Sequence, residues 1–167
     1  MTVPWQTVAI VGVGLIGGSV GKAVRDRGLA RRVIGIGRSS ASLAEARRHG
    51  AITAATVDVA SVAEADLVVL AAGVAALPKL LAAVDAAVRP GTLITDTGST
   101  KATLVAAWER RRRGRRGRFV GAHPLAGSHR RGAAAADADL FAGRVTVVTP
   151  AAATPTEDVT DVATFWS

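Results

Sequence analysis

A glycine-rich turn near the amino terminus constrains the fold of this chain more than any other feature. A short run of apolar, mostly β-branched residues at 8–11 is followed at once by Gly12, Gly14 and Gly17 in the spacing G-x-G-x-x-G. Apolar residues then recur at three- and four-residue intervals over 15–27, which predicts a helix. A buried strand, a tight turn and a helix in this order are typical of a turn that binds the phosphates of a dinucleotide. A glycine turn without a ligand is the alternative.

The rest of the chain repeats the strand and helix alternation. Further strands are predicted at 33–36, 52–57, 67–70, 92–95, 119–122 and 145–148, and helical segments at 42–49, 61–65, 77–88 and 101–113. This pattern predicts an α/β fold with a doubly wound, mostly parallel sheet, a Rossmann-type NAD(P)-binding domain over residues 1–167. A last helix is predicted at 155–167. Its apolar face ends with Phe165 and Trp166, so we expect that the helix is interrupted and that the chain continues in the full protein or buries this face on a partner.

Composition excludes several classes of protein. With 167 residues, 49% of them hydrophobic, the chain can form one domain with a sizeable core. It has no cysteine, which excludes disulfides and cysteine-ligated metals, and no spacing of His, Asp and Glu suggests another metal site. The longest apolar stretch, 67–77, falls short of the roughly 20 residues of a membrane span. A signal peptide has a basic residue before its apolar run, and this chain has none there. We therefore expect a cytoplasmic protein.

The net charge of +8 is concentrated in one segment. Seven arginines lie within 110–118, and without them the chain would have a charge of +1. Such a run is typical of a solvated helix end, where cations are also favoured. A contact patch for a phosphate backbone is the sharper alternative, but no aromatic residue stands between the arginines to stack on bases. We therefore expect no nucleic-acid partner, and a role in subunit contact or substrate steering stays open.

The end of the second strand bears on the choice of nicotinamide cofactor. NAD sites place an acidic residue there for the adenosine ribose, whereas this chain has Gly37. Arg38, Ser39 and Ser40 follow, a guanidinium and two hydroxyls that suit a 2′-phosphate. The pattern favours NADP over NAD. The alternative is that Arg38 stacks on the adenine.

Two polar segments follow later strands, at the edge where sheets of this type bind ligands. The first is Asp96-Thr97-Gly98-Ser99-Thr100-Lys101. Ser99 can form a hydrogen bond to a substrate or nicotinamide group, and Lys101 can hold a negative charge or pair with Asp96, although the same residues also suit an ordinary turn and helix cap. The second contains His123, the best candidate for the acid or base that hydride transfer from an alcohol requires.

Three segments in order resemble one family. Gly12 to Ser19, Asp96 to Lys101 and His123 to Phe141 are similar to the nucleotide-binding domain of prephenate dehydrogenase and its relative arogenate dehydrogenase. The resemblance implies NAD(P)-dependent oxidative decarboxylation of prephenate or arogenate in tyrosine biosynthesis. It implies that His123 takes the proton of the ring hydroxyl and that Ser99 helps to place the hydroxyl, the histidine and the nicotinamide. The family adds a helical dimerisation domain, so the resemblance also implies a homodimer for the full-length protein and little or no turnover by this chain alone.

The same motifs imply the remaining contacts. The residues implied for the cofactor are Gly12, Gly14, Leu15, Ile16, Gly17, Arg38, Ser39, Ser40, Ala72, Gly73, Asp96 and Gly98. Those implied for the small-molecule substrate are Ser99, Lys101, His123, Gly127 and Ser128. The chain departs from the family at 72–74, where a proline is frequent, and at His129, where Glu is frequent. Two other functions stay open: an NADP-binding module without turnover, and another Rossmann-type reductase such as a 3-hydroxy acid dehydrogenase.

Overall fold

The computed structural model describes residues 4–111 and 113–167, and Arg112, one of the seven clustered arginines, lies outside them. Six strands form one parallel sheet in the order β3-β2-β1-β4-β5-β6. They are β1 (Trp5–Val11), β2 (Ala30–Ile36), β3 (Ala54–Thr56), β4 (Leu67–Leu70), β5 (Leu93–Asp96) and β6 (Arg118–Phe119). Two further strands, β7 (Gly121–Pro124) and β8 (Thr146–Thr149), form an antiparallel ribbon.

The helices connect these strands. They are α1 (Leu15–Asp26), α2 (Ser40–Arg48), α3 (Leu77–Ala87), α4 (Ala102–Arg110) and α5 (Thr156–Trp166), with 3₁₀ turns at Val59–Glu64, Val74–Ala76 and Ala133–Ala135. The first half of the chain runs outward from β1 to β3, and the second half starts again beside β1 at β4. The predicted doubly wound fold is thus confirmed. Its switch point, where ligands bind in sheets of this kind, lies at the carboxyl ends of β1 and β4.

The central strands are apolar on both faces because helices cover both faces of the sheet. Alternate residues of β1 enter opposite cores: Ile10 packs in a cluster with Val20 of α1, and Ala9 in a cluster with Leu81 of α3. All four residues of β4 are fully buried. These buried runs explain why the strands were visible in the sequence.

The predicted strand at 119–122 is wrong in one respect, because it is divided between two sheets. Val120 still donates its N–H to the carbonyl of Ile94 in the parallel sheet, at 3.0 Å. Two residues later, the N–H of Ala122 donates instead to the carboxylate of Asp96, at 3.1 Å. The chain therefore leaves the parallel sheet after Val120 and pairs with β8, so the predicted seventh strand belongs to the ribbon.

The segment around the arginine run also differs from the prediction of a helix over 101–113. Helix α4 ends at Arg110, and the chain then folds back, with the Arg115 guanidinium 4.3 Å from the centre of the Trp108 ring. A cation over an aromatic face is favourable, so this arginine packs on the domain. No helix within 4–111 or 113–167 is long and apolar enough to cross a bilayer.

Candidate active site

The glycine turn between β1 and α1 uses its glycines for two purposes. Gly12 has φ +99°, and a Cβ there would lie 2.5 Å from the carbonyl oxygen of Ala71. A Cβ on Gly17 would overlap the carbonyl oxygen of Gly12. Gly14 differs, because a Cβ would meet nothing within 4 Å. Gly12 and Gly17 are therefore required by packing, whereas Gly14 borders open space where a ligand can approach the backbone.

Helix α1 begins beside this open space. Its N-cap is Gly14, which provides no side-chain hydrogen bond, and its first turn has no acidic residue. The first N–H groups of a helix have no partner within the helix and bear a partial positive charge. The site therefore combines free backbone donors, positive potential and close backbone access, which are the properties that bind a phosphate.

Two cavities meet at this turn. One has a volume of about 530 Å³ and the other about 820 Å³, and both are lined by Gly14 and Ala71. They extend in opposite directions, toward the end of β2 and toward the ends of β5 and β7. We call the two together the groove. It crosses the switch point, and each of its two cavities falls in the volume range of small-molecule and cofactor sites.

The smaller cavity contains most of the predicted 2′-phosphate contacts. Gly37, Arg38 and Ser39 line it, and no acidic side chain does. Ser39 also caps helix α2, because its hydroxyl accepts the N–H of Ser42 at 3.2 Å. Ser40 is placed elsewhere: it lies in the first turn of α2 and lines a different cavity, with Arg47 and Thr56.

Ser42 lines the smaller cavity, where Ser40 was predicted to lie. The N-cap of α2 at Ser39 is the sequence signal that could have identified Ser42. A residue three positions after a serine N-cap lies directly above the cap, on the same side of the helix. The prediction of two consecutive serines ignored this helical spacing.

The larger cavity brings the two predicted catalytic residues together. His123 of β7 and Ser99, three residues after β5, both line it, as do Leu15 and Ile16 at the start of α1. His123 is half-buried and Ser99 is exposed. The other predicted residues that line this cavity are Ala72, Gly73, Gly98, Gly127 and Ser128. Thr97, Arg130 and Arg131 line it too, and the sequence analysis did not assign them to the site.

Asp96 and Lys101 are placed under the groove wall. Asp96 is fully buried, and its carboxylate accepts hydrogen bonds from the Lys101 ammonium, from the N–H of Gly98 at 2.8 Å and from the N–H of Ala122 at 3.1 Å. Neither side chain lines the groove. The structure thus pairs the two groups with each other behind the groove wall, and the predicted contacts of Asp96 with a cofactor and of Lys101 with a substrate stay predictions.

This pair joins the two segments that supply the catalytic candidates. One oxygen of Asp96 holds the Thr97-Gly98-Ser99 turn through Gly98, and the other holds β7 through Ala122, next to His123. Burial raises the pKa of Asp96 although the Lys101 ammonium opposes the shift, and burial lowers the pKa of Lys101 although the Asp96 carboxylate opposes that shift. The buried pair thus fixes Ser99 and His123 relative to each other at the cost of desolvation.

The groove as a whole has a defined chemical capacity. Backbone donors for phosphates lie at its centre, a guanidinium and hydroxyls at one end, and an imidazole and a hydroxyl at the other. It can hold an extended dinucleotide with its redox ring beside a proton acceptor.

Known proteins resemble this chain in sequence and in fold. The family model described as the nucleotide-binding domain of prephenate dehydrogenase matches residues 20–167. The prephenate dehydrogenase of Lactococcus lactis subsp. cremoris is 33% identical over 147 residues, which are 86% of this chain and 41% of that protein. The prephenate dehydrogenase of Bacillus subtilis is 36% identical over 147 residues, 87% of this chain and 39% of that protein.

A solved structure agrees with these matches. The prephenate dehydrogenase of Aquifex aeolicus, in complex with hydroxyphenyl propionate and NAD+, superposes with a TM-score of 0.87 at 30% identity, over 96% of this chain and 56% of that one. The chain thus spans about two fifths of the length of the first two relatives and just over half of the third. The resemblance inferred from the three sequence segments is confirmed, and the chain belongs to the prephenate dehydrogenase family, whose nucleotide-binding domain it contains.

Proposed function

We propose that this protein catalyses NAD(P)-dependent oxidative decarboxylation of prephenate or arogenate in tyrosine biosynthesis, and that this chain provides the cofactor site and the proton acceptor. The observation that supports this most is that His123 and Ser99 line the same cavity as the start of α1. The activity named for the relatives supports it as well. We include in the proposal that residues 1–167 form one dinucleotide-binding domain.

The residues of the groove suit a nicotinamide dinucleotide. The N–H groups of Leu15 and Ile16 would hold the pyrophosphate beside Gly14, where the backbone is open. The adenosine would lie in the smaller cavity beside Arg38 and Ser39. The nicotinamide would lie in the larger cavity, between Ala72-Gly73 and Gly98. When bound there, it accepts a hydride from the substrate carbon that bears the hydroxyl.

His123 and Ser99 complete the reaction. Ser99 orients the substrate hydroxyl by a hydrogen bond, and an imidazole nitrogen of His123 takes its proton as the carbonyl forms. The carboxylate on the ring then leaves as carbon dioxide, the electron pair of the broken bond moves through the ring onto the carbonyl oxygen, and that oxygen takes the proton back from His123, so that the ring becomes an aromatic phenol. Because aromatisation supplies much of the driving force, the chain's main task is to position the reactants and accept one proton.

We further propose that the cofactor is NADP. Arg38 and two hydroxyls, of Ser39 and Ser42, line the cavity in which a 2′-phosphate would lie, and no acidic side chain lines it. A carboxylate at this place would repel a phosphate, whereas a guanidinium binds one through paired, charge-assisted hydrogen bonds. We expect Arg38→Gln to weaken NADPH binding about tenfold and to leave NADH binding unchanged. Equal losses for both would mean that Arg38 stacks on the adenine.

The full-length protein is proposed to be a cytoplasmic homodimer, with the substrate enclosed partly by residues outside this chain. The chain covers about two fifths of its first two relatives, whose remaining length leaves room for such residues. Sedimentation of the full-length protein tests the dimer.

The decisive experiment is the initial rate of NADP and NAD reduction with prephenate and, separately, with arogenate. It is made on this chain and on any longer protein from the same reading frame. We expect reduction that depends on one of these substrates and falls about 10²- to 10⁴-fold in His123→Ala. His49→Ala is the matched control, because His49 is exposed at the end of α2, away from the groove. Binding of NADPH without any reduction would favour the binding module instead.

A further inference from the structure

The first part of the connection between β7 and β8, residues 125–137, is held to the domain at both of its ends. Beside β7, the N–H of Leu125 donates to the carbonyl of Val145 at 2.8 Å. Farther on, the connection is tied to α1: Lys22 Nζ donates to the carbonyl of Ala136 at 2.8 Å, and the N–H of Asp137 donates to Ser19 Oγ at 2.9 Å. Residues 127–132 bridge these fixed points along the edge of the larger cavity.

Two arginines lie in this bridge. Arg130 and Arg131 are exposed, and both line the larger cavity. The N–H of Arg130 donates to Ser128 Oγ at 3.2 Å, and Gly132 then turns the chain with φ +81°. The backbone of the bridge is thus shaped locally while the two guanidinium groups remain at the groove.

The charge around these arginines is uncompensated. Within residues 4–111 and 113–167, neither forms an ion pair, whereas Arg27, Arg32, Arg89, Arg111 and Arg118 each do. No acidic residue lines the larger cavity, and its titratable residues are Arg130, Arg131 and His123. The carboxylate of Asp96, behind the wall, is already paired with Lys101. The His123 end of the groove is therefore positive and favours an anion.

We propose that Arg130 and Arg131 form an anion subsite at the His123 end of the groove. The inference rests on the proposed function, which it deepens by identifying groups in this chain that select a negatively charged ligand. A guanidinium binds either a carboxylate or a phosphate through paired hydrogen bonds. The anion is thus either a carboxylate of the substrate or the pyrophosphate of the cofactor, because Gly14 and Ile16 border the same cavity.

Two ligands that differ in one charge separate these sources. The first is 3-(4-hydroxyphenyl)propionate, chosen because the Aquifex neighbour was solved with a hydroxyphenyl propionate, and the second is its uncharged amide. Titration calorimetry of the full-length protein, saturated with NADP+, gives the Kd of each, and fluorescence gives the Kd of NADPH. The variant is Arg130→Gln/Arg131→Gln. The control, Arg31→Gln/Arg113→Gln, removes the same charge from exposed arginines that do not line the groove.

If the subsite binds a substrate carboxylate, the variant raises the Kd of 3-(4-hydroxyphenyl)propionate about tenfold or more. The Kd values of the amide and of NADPH then stay unchanged. If it binds the pyrophosphate, NADPH binding weakens by a similar factor. Either result supports the subsite, provided that the control protein binds all ligands like the parent. Unchanged affinities for propionate and NADPH overturn it.

Failure of the proposed function gives a different pattern. A parent protein that binds NADPH but no propionate contradicts the proposed substrate and excludes the carboxylate as the anion. The NADPH measurement then decides on the subsite alone. A parent protein that binds neither ligand contradicts both proposals.

Discussion

The two ends of the parallel sheet differ in whether their charged side chains have partners within the fold. At the amino ends of the strands, Asp66 accepts the N–H groups of Gln6 and Thr7 and pairs with Arg89. Asp85 accepts the N–H groups of Arg116 and Gly117 there as well. At the carboxyl ends, by contrast, three arginines line an open groove without an ion pair in the described part of the chain: Arg38, Arg130 and Arg131.

The contrast separates the charged groups that have partners within the fold from those that are available to a ligand. Both edges of a parallel sheet end in loops with unpaired backbone groups, which need partners. Aspartates satisfy those groups at the amino edge. At the carboxyl edge the glycine turn leaves donors of α1 without side-chain caps. A ligand can supply there what aspartates supply at the other edge.

More of the arginine run is used in contacts within the domain than its sequence indicates. Arg111 pairs with Asp85, Arg115 packs on Trp108, and Arg118 pairs with Asp158 of α5. At least three of the seven arginines thus bind the loop after α4 to the domain. A net charge of +8 is therefore a poor guide to ligands, because part of it is paired or packed against the domain by these contacts.

Replacement of Asp85 by Ala is the severest test of this contrast. Asp85 is fully buried, and its loss leaves two N–H groups and a guanidinium without their partner. We expect the free energy of unfolding to fall by about 3–5 kcal/mol. NADPH binding by the folded fraction should not change, because the residue is at the other edge. Urea unfolding and NADPH titration measure the two quantities.

The control for Asp85 is Asp26→Ala, which removes an exposed carboxylate at the end of α1. It should change stability by no more than about 0.5 kcal/mol. A loss for Asp85→Ala as small as that of the control would mean that the amino edge is not held by this carboxylate.

Removal of Lys101 tests the buried ion pair with Asp96 at the carboxyl edge. In Lys101→Met, the buried Asp96 loses its cation and keeps two backbone donors. We expect a loss of about 2–3 kcal/mol near neutral pH, less than for Asp85, because the backbone donors of Asp96 remain and it can take up a proton. kcat should fall as well, since Asp96 positions Ser99 and His123.

The pH dependence of this variant has a definite sign. Burial already raises the pKa of Asp96 above its ordinary value of 3.8 in the parent, and loss of Lys101 raises it further. The folded variant therefore binds a proton at a pH where the unfolded chain does not. The contribution of Asp96 to stability is therefore greatest below about pH 4 and is lost as the pH rises through the folded pKa. Adding Asp96→Asn should abolish that slope, and a slope that persists would contradict the assignment.

Much of the fold could be predicted because local patterns determine it. The strands β1, β2, β4 and β5 are apolar runs that two layers of helices bury, and glycines or prolines mark several of their ends. The division of 119–122 between two sheets could not be predicted. It depends on the hydrogen bond from Ala122 to Asp96, a residue 26 positions away.

The site was predictable to the same extent. Gly14 and Ser99 each follow a parallel strand, and His123 comes three residues after Val120, where the chain leaves the parallel sheet. The carboxyl ends of parallel strands meet at one edge, so the meeting of these residues follows from the fold. Arg130 and Arg131 were missed because their position depends on contacts between distant residues, such as that of Lys22 with Ala136. The burial of Asp96 was missed as well, since the sequence shows which strand it ends but not what covers it.

Gly14→Ala is a milder change that separates ligand access from packing. The backbone of Gly14 has φ −94°, which alanine adopts, and its Cβ would enter open space. Stability should therefore change by only a few tenths of a kcal/mol. A methyl group beside the start of α1 should hinder the pyrophosphate, and we expect NADPH binding to weaken about tenfold, or about 1.4 kcal/mol. Unchanged affinity would place the cofactor elsewhere.

The exposed ion pair of Arg32 and Glu64 should have the smallest effect, although it lies at the same amino edge as Asp85. Its side chains are 45% and 52% exposed, whereas that of Asp85 is fully buried. Water and salt screen such a pair, and ordering two long side chains offsets its attraction. A double-mutant cycle with Arg32→Gln and Glu64→Gln should give a coupling of about 0.2–1 kcal/mol that declines in 1 M salt. A coupling as large as the loss for Asp85→Ala would mean that ion pairing itself, rather than satisfaction of buried backbone groups, holds the amino edge together.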